Sequence, residues 1–339
     1  MSAWTIIAVV GATAASYFLT MQVYRYALKA QWLDLPNTRS SHVRPTPRGG
    51  GISIVVVSLL GVLALATWGA IDWSLAMALT GGGAAVAFIG FLDDRRSTSV
   101  RVRMGVHTAA AVWSVFWLGG LAPMQVGEQL VDLGVLGDLL AVIAIIWTLN
   151  LFNFMDGIDG IAGSEAAFMG TAGAILAWLG GAPGAVCAAA LLIAAASLGF
   201  LAWNWPPAKI FMGDVGSGYL GFAVAVVALA QQRHNPEAVF VWLILGGLFF
   251  CDATATLVRR VLRGQRASEA HRSHAYQWLS RRWGSHRKVT LTALLVNVIW
   301  LLPCAALATF YPRWAGWLVL GALVPITLAV LKVGAGRDS

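Results

Sequence analysis

The sequence predicts an all-α, polytopic integral membrane protein with eleven transmembrane helices. Composition is the first reason: 58% of the 339 residues are apolar and only 11% are charged, against roughly a quarter charged in an ordinary soluble domain. A water-soluble core of this length cannot hide that many apolar side chains. A soluble single domain, a disordered chain and a disulfide scaffold are thereby excluded. The second reason is that the apolar residues gather in runs close to the ~20 residues a helical crossing requires. The third is a one-sided distribution of positive charge.

Taken in order, uncharged runs cover 2–24, 49–71, 73–92, 104–127, 139–155, 215–232, 289–312 and 314–331. The run 166–208 is too long for one crossing, and Gly180-Gly181-Ala182-Pro183-Gly184 divides it in two, because Gly and Pro favour a turn. An eleventh span covers 238–258, with one acid, Asp252, near its end. The first run has no Lys or Arg before it and exceeds 20 residues, which suits a retained helix better than a cleaved signal peptide. Cys187, Cys251 and Cys304 each lie inside an apolar run and read as small hydrophobes, with neither disulfide nor metal assigned to them.

Eleven crossings put the termini on opposite sides. Of the 23 Lys and Arg residues, all except Arg233 and Arg313 then fall on one side. The positive-inside rule makes that side cytoplasmic, with the N-terminus periplasmic and the C-terminus cytoplasmic. The formal charge of +8 is thus a topology signal, and nucleic-acid binding drops out. The same inner loops (29–48, 93–103, 154–160, 204–214 and 259–288) hold Asp93, Asp94, Asp156, Asp159, Asp214, His271 and His274. The longest outer loop offers only Glu128 and Asp132. Ionisable residues at membrane level are costly and mark functional sites by default.

Each inner motif has a bland and a chemical reading. Asp93-Asp94 ends the third span: adjacent carboxylates there oppose the helix dipole, so they are either a loop start neutralised by Arg95 and Arg96 or a hard-cation site. Asn150-Leu-Phe-Asn153-Phe-Met-Asp156-Gly-Ile-Asp159-Gly spends two Asp and two Asn on a short loop, more than a helix cap needs. Asn204-Trp-Pro-Pro-Ala-Lys209-Ile-Phe211-Met-Gly-Asp214-Val-Gly-Ser217 suits an N-cap or a phosphate-binding helix start equally. The loop with His42, Arg44, Thr46 and Arg48 before a triple glycine suits membrane anchoring or phosphate contact. The basic 259–288 loop suits anionic lipid, or, through His271-Arg272-Ser273-His274, a diphosphate. That His-x-x-His lacks the Glu of a zincin motif and has no cysteine near it, so zinc is not assigned. Together these loops point to a phosphorylated substrate handled with Mg²⁺ at the inner membrane surface, one reactant being a lipid.

At these residues the sequence resembles the polyprenyl-phosphate N-acetylhexosamine-1-phosphate transferases, the WecA- and MraY-like family. The matches are Pro-Thr46-Pro-Arg48-Gly-Gly-Gly, Phe-Leu-Asp93-Asp94, Asn153-x-x-Asp156-Gly-x-Asp159-Gly, Asn204-x-x-Pro-Ala-x-x-Phe211-Met-Gly-Asp214-x-Gly-Ser and His271-x-x-His274, in the family's order. The wording Ala270-His-Arg-Ser-His-Ala-Tyr-Gln is most similar to the WbpL-type, O-antigen-initiating branch. The resemblance implies one membrane-embedded transferase domain over 1–339 in a bacterial inner membrane. Its reaction would join undecaprenyl phosphate to the sugar-1-phosphate half of a UDP-N-acetylhexosamine and release UMP.

By the same resemblance Asp94 and Asp214 would hold Mg²⁺, with Mn²⁺ as a substitute, and Asp93 would deprotonate or orient the lipid phosphate. Asp156, Asp159, Asn153, Asn204, Lys209, Phe211 and Thr46 would position the nucleotide, with Phe211 stacking on uracil. Arg48, His271, Arg272 and His274 would neutralise phosphate charge. Two departures stand out: Ser97 occupies the place of a third acid after the Asp pair, and the adjacent histidines of the WecA and MraY forms are missing. The sugar therefore stays open among N-acetylhexosamines, and a homodimer is compatible with the sequence without being signalled by it. The competing readings are a transporter for a nucleotide sugar or lipid-linked sugar and a non-catalytic scaffold. A transporter should show repeated halves and a midplane site, and neither is legible.

Overall fold

The structure, a computed structural model, describes residues 3–36, 44–265 and 271–337. His42 of the first inner loop and Ala270 of the histidine motif lie outside the described residues. The chain is almost wholly helical: α1 (Ala3–Lys29), α2 (Gly51–Thr67), α3 (Trp73–Arg95), α4 (Val100–Leu118), α5 (Gly134–Met155), α6 (Ile161–Leu179), α7 (Gly184–Asn204), α8 (Asp214–Gln232), α9 (Ala238–Leu245), α10 (Gly247–Leu262), α11 (Ala275–Trp283), α12 (His286–Val296), α13 (Leu302–Phe310) and α14 (Ala315–Val333). A five-residue π-helical turn, Asn297–Leu301, joins α12 to α13. Two small antiparallel ladders complete it: β1 (Leu33–Asp34) with β2 (Thr46–Pro47), and β3 (Met124–Val126) with β4 (Gln129–Val131).

Each apolar run of the sequence has helical backbone at its centre, and the Gly180–Gly184 break falls between α6 and α7 as expected. Among the described residues seven helical segments are long and apolar enough to cross a bilayer, or eight when α9 and α10 count as one bent span. α2 has 17 residues. α4 and α6, with 19 each, carry Arg101, Arg103 and His107, and Glu165, which dilute their apolar character. The run 238–258, expected as one helix, is broken between α9 and α10 by a bend of 76°. The break falls at Gly246-Gly247, and a side chain on Gly246 would press on Met169 at 2.8 Å while one on Gly247 would collide with Leu323. Tertiary packing onto two adjacent glycines, rather than any polar interruption, makes the elbow.

α8 is the central post, with 83% of its apolar window buried, whereas α1 (11%) and α14 (17%) present their surfaces outward to the bilayer. Small residues let its neighbours approach closely, as helix pairs in lipid require. A Cβ on Gly216 of α8 would lie 2.6 Å from Gly51 Cα of α2, and one on Gly90 of α3 would lie 2.6 Å from the Asp214 carbonyl oxygen. This close packing draws the C-terminal end of α3 and the N-terminal ends of α2 and α8 to one point.

Candidate active site

That point is an acid–arginine cluster. Asp94, in the last turn of α3, accepts hydrogen bonds from the backbone N–H groups of Asp214 (2.9 Å) and Val215 (3.1 Å). It therefore caps α8 from a neighbouring helix, where the dipole favours a carboxylate. Its side chain is fully buried. Gly213 makes the approach possible: its φ is +79°, and a Cβ there would stand 2.5 Å from Asp94 Oδ2. Arg48 Nη2 lies 2.7 Å from Asp94 Oδ1 and donates to Asp214 Oδ1 at 3.0 Å. On the far side, Arg103 Nη1 donates to Asp93 Oδ2 at 2.7 Å and lies 3.6 Å from Asp214 Oδ2. Asp93 Oδ1 accepts from the Thr98 N–H (2.7 Å) and hydroxyl (2.6 Å). Three carboxylates thus alternate with two guanidinium groups.

Arg48 follows β2, and its loop is laced to the segment before α8. The Phe211 N–H donates to the Pro47 carbonyl (2.8 Å), the Gly50 N–H to the Phe211 carbonyl (2.9 Å) and the Gly51 N–H to the Met212 carbonyl (2.9 Å). Thr46 and Phe211 therefore border the same rim. Burial opposes the charge on Arg48, but the surrounding acids, Asp94 and Asp214 foremost, outweigh it and reinforce the guanidinium. Asp156, at the C-terminal end of α5, is pushed well above the usual carboxylate range, first by burial and then by repulsion from Asp214. Asn153, one turn earlier, donates to Ser217 Oγ on α8 at 3.2 Å.

Four predicted ligand-contacting residues are engaged with other parts of the protein in this structure. Asn204 is buried; it accepts from the Gly160 N–H (2.9 Å) and donates to the Ile210 carbonyl (2.9 Å), so both ends of its amide are engaged by backbone. Asp159 accepts from the Ala208 N–H (3.0 Å) and lies 3.2 Å from His286 Nδ1, tying the loop after α7 to α12. Lys209 rests its ammonium 5.1 Å from the Trp203 ring centroid. His274 is buried against the rings of Phe154 and Tyr276, with Nδ1 3.4 Å from Asp252 Oδ1.

The histidine loop is suspended from two anchors. Asp252, the lone acid of the broken span, accepts from the N–H groups of Ala275 (2.8 Å) and Tyr276 (3.0 Å), capping α11 from inside α10. Tyr276 reaches back to the Phe154 carbonyl at 3.0 Å. The second anchor is the chain after α14: the Gly336 N–H donates to the Ser273 carbonyl (2.8 Å), while Arg259 and Arg263 hold the carbonyls of Ala335 and Gly336 (both 3.1 Å). His271 is half-buried beside His274, ring centroids 5.0 Å apart. Burial first, then His274 and Arg260, lower its pKa to about 4, so near neutrality it is a hydrogen-bonding group. Arg272, partly exposed beside it, is the permanently charged group of the motif.

The cluster contains partners that the motifs did not single out. Arg103 was counted only as loop basicity, His286 only as part of a basic segment, and Asp252 only as an acid near a span end. A divalent cation suits the donor set. Asp93, Asp94 and Asp214 face two arginines, one carboxylate more than the guanidinium groups, and the Asp214 side chain keeps 24% exposure. Mg²⁺ takes one or two carboxylates and completes its shell with water and phosphate, a demand that the carboxylates of this cluster are able to meet. The resemblance put the metal on Asp94 and Asp214; the Asp94 side chain is fully buried against α8, whereas Asp93 and Asp214 keep 14% and 24% side-chain exposure and are the accessible pair.

The fold and this one-ended cluster define a multi-pass membrane protein that gathers acids and arginines at the ends of its helices. Comparison with known proteins specifies the class. The family described as Glycosyl transferase family 4 matches residues 75–232. A decaprenyl-phosphate N-acetylglucosaminephosphotransferase of Mycobacterium leprae is 31% identical, over 98% of this chain and 92% of its own length. An undecaprenyl-phosphate alpha-N-acetylglucosaminyl 1-phosphate transferase of Escherichia coli K12 is 30% identical over 86% and 81%. A probable undecaprenyl-phosphate N-acetylglucosaminyl 1-phosphate transferase of Bacillus subtilis is 28% identical over 85% and 81%. The chain belongs to the polyprenyl-phosphate N-acetylhexosamine-1-phosphate transferase family.

Proposed function

We propose that this protein transfers an N-acetylhexosamine-1-phosphate from a UDP-sugar to undecaprenyl phosphate in the bacterial inner membrane, with its site open to the cytoplasm. The product, an undecaprenyl-diphosphate-linked sugar, would begin an O-antigen or other cell-envelope polysaccharide. The observation that carries this reading is the Asp93–Arg103–Asp214–Arg48–Asp94 cluster at the helix ends, in a chain whose relatives bear that activity in their names. The one-sided distribution of Lys and Arg supports an orientation with the N-terminus outside, which would put the loops of the cluster on the cytoplasmic side.

An oxygen of the lipid phosphate attacks the β-phosphorus of the UDP-sugar. The new P–O bond forms as the bond to the bridging oxygen of the α-phosphate breaks, and UMP leaves with that electron pair. Asp93, held by Thr98 and Arg103, is placed to take a proton from the lipid phosphate or to orient it. Arg48 and Arg272 offset phosphate charge, and electrostatic stabilisation of this kind is the main lever in phosphoryl transfer. Phe211, Thr46, Asn153 and Asp156 border the nucleotide side, with Phe211 supplying a stacking face. Asp214 with Asp93 would hold Mg²⁺, and the ion would supply Lewis-acid polarisation of the diphosphate. Purified protein should release UMP from UDP-N-acetylglucosamine, the first donor to try given the relatives, only when undecaprenyl phosphate and Mg²⁺ are both present. No release from folded protein across a panel of UDP-N-acetyl sugars would refute the assignment.

A further inference from the structure

Behind the acid cluster, away from the loops that carry Arg48 and Phe211, lies a small recess of about 40 Å³ between α3, α4, α5 and α8. Asp93, Arg103, Asn150, Asn153 and Asp214 contribute to its wall, and so does His107. His107 stands four residues after Arg103 on α4 and therefore shares its face. It is only 8% exposed, and its Nδ1 makes no hydrogen bond to any protein atom. A buried ring nitrogen without a partner is costly and is rarely tolerated unless an ordered water or a ligand meets it. The volume answers which. At roughly 10–15 Å³ per water the recess takes about three waters, and it cannot take a sugar or a nucleotide. Polar groups converge on it from four helices, so a water inside would find the two to four partners it needs.

We propose that His107 is a positioning residue for the transfer reaction. Through water held in the recess it braces Arg103, whose guanidinium spans Asp93 and Asp214 at 2.7 and 3.6 Å. The longer of these contacts shows why a brace is useful, because Arg103 is held firmly by Asp93 alone. His107 touches no substrate in this arrangement; it acts through Arg103 on the two accessible carboxylates. The inference rests on the functional reading above and deepens it.

The test compares His107→Leu, which fills the recess with a similar volume and no polar atom, with His107→Gln, which keeps a donor and an acceptor. Outer partners of a reacting group are worth roughly 10–100-fold in activity. His107→Leu is expected to lower kcat for UMP release by that amount, with an unchanged KM for the UDP-sugar and an unchanged melting temperature. His107→Gln should stay within about threefold of the parent. A Leu variant with parental kcat, or a Gln variant as impaired as Leu, overturns the proposal. If the parent protein itself releases no UMP, the functional reading has failed. The recess is then judged by high-resolution density alone, where water bonded to His107 Nδ1 supports the brace and a dry recess refutes it.

Discussion

Asp94→Ala separates two roles that the Asp93-Asp94 pair could play. Asp94 is fully buried and receives two backbone N–H groups and one guanidinium nitrogen. Removing one partner of a buried ion pair costs about 3–5 kcal/mol, and stranding buried N–H groups adds about 1–3 kcal/mol each. A loss of at least about 4 kcal/mol is expected, a fall on the order of 10 °C in melting temperature for a chain of this size. Asp214→Asn is the control. Its side chain is about a quarter exposed, so the stability cost should stay near ~1 kcal/mol, while UMP release should fall by ~100-fold or more. Thermal unfolding of the detergent-solubilised protein, followed by tryptophan fluorescence and set beside UMP release, reads both quantities. If Asp94→Ala melts with the parent, or Asp214→Asn falls as far as Asp94→Ala, then Asp94 does not clamp α8 and the division of labour is wrong.

Two further substitutions follow from the geometry. Gly213→Ala should cripple UMP release and lower the melting temperature, because the residue sits at φ +79° and its Cβ would stand 2.5 Å from Asp94 Oδ2; about 1–3 kcal/mol is expected for the strained backbone alone. His271 is neutral in the folded protein down to about pH 4, whereas the unfolded chain takes up a proton near 6.5. The unfolded state therefore binds more protons between those values. Its contribution to stability is complete above pH 6.5 and is lost as pH falls toward 4. Melting curves over that interval should flatten in His271→Asn, and an unchanged slope would contradict the burial of the imidazole.

How much of this was legible in the sequence depends on how local the cause is. The apolar runs became helices because length and composition decide that question in lipid, and the Gly180–Gly184 turn announced itself through Gly and Pro. Asp93 and Asp94 stood out because adjacent carboxylates at a helix C-terminus oppose its dipole, and Asp214 because it sits in a Gly-rich, Ser-bearing helix start. The elbow at Gly246-Gly247 was not legible, since the apolar run is continuous there and its bend is set by Met169 and Leu323 from distant helices. Arg103 was hidden for another reason: basic loop residues satisfy the topology rule, and nothing local says which of them turns inward, whereas Arg48 stood out through the Pro-Thr-Pro-Arg-Gly motif around it. Asn204 and Asp159 show the converse. Their residue types suit ligand contact, but their hydrogen bonds go to backbone, and only the folded neighbourhood decides between the two uses.

The anchor formed by Gly336 on Ser273 has a practical side. The segment at Ala335 and Gly336 is held by Arg259 of α10 and by Arg263 just past it, close to the histidine motif, so this segment is an instrument panel and not a loose lead. A purification handle or fluorescent fusion attached there would pull on the same hydrogen bonds that suspend the motif, and an activity loss in such a fusion could be mistaken for a catalytic defect. The first turn of α1 lies at the other end of its 27-residue helix. By the 1.5 Å rise per residue that is about 40 Å from the end of α1 that leads toward the Arg48 loop, which makes it the quieter place to hold this protein in any assay.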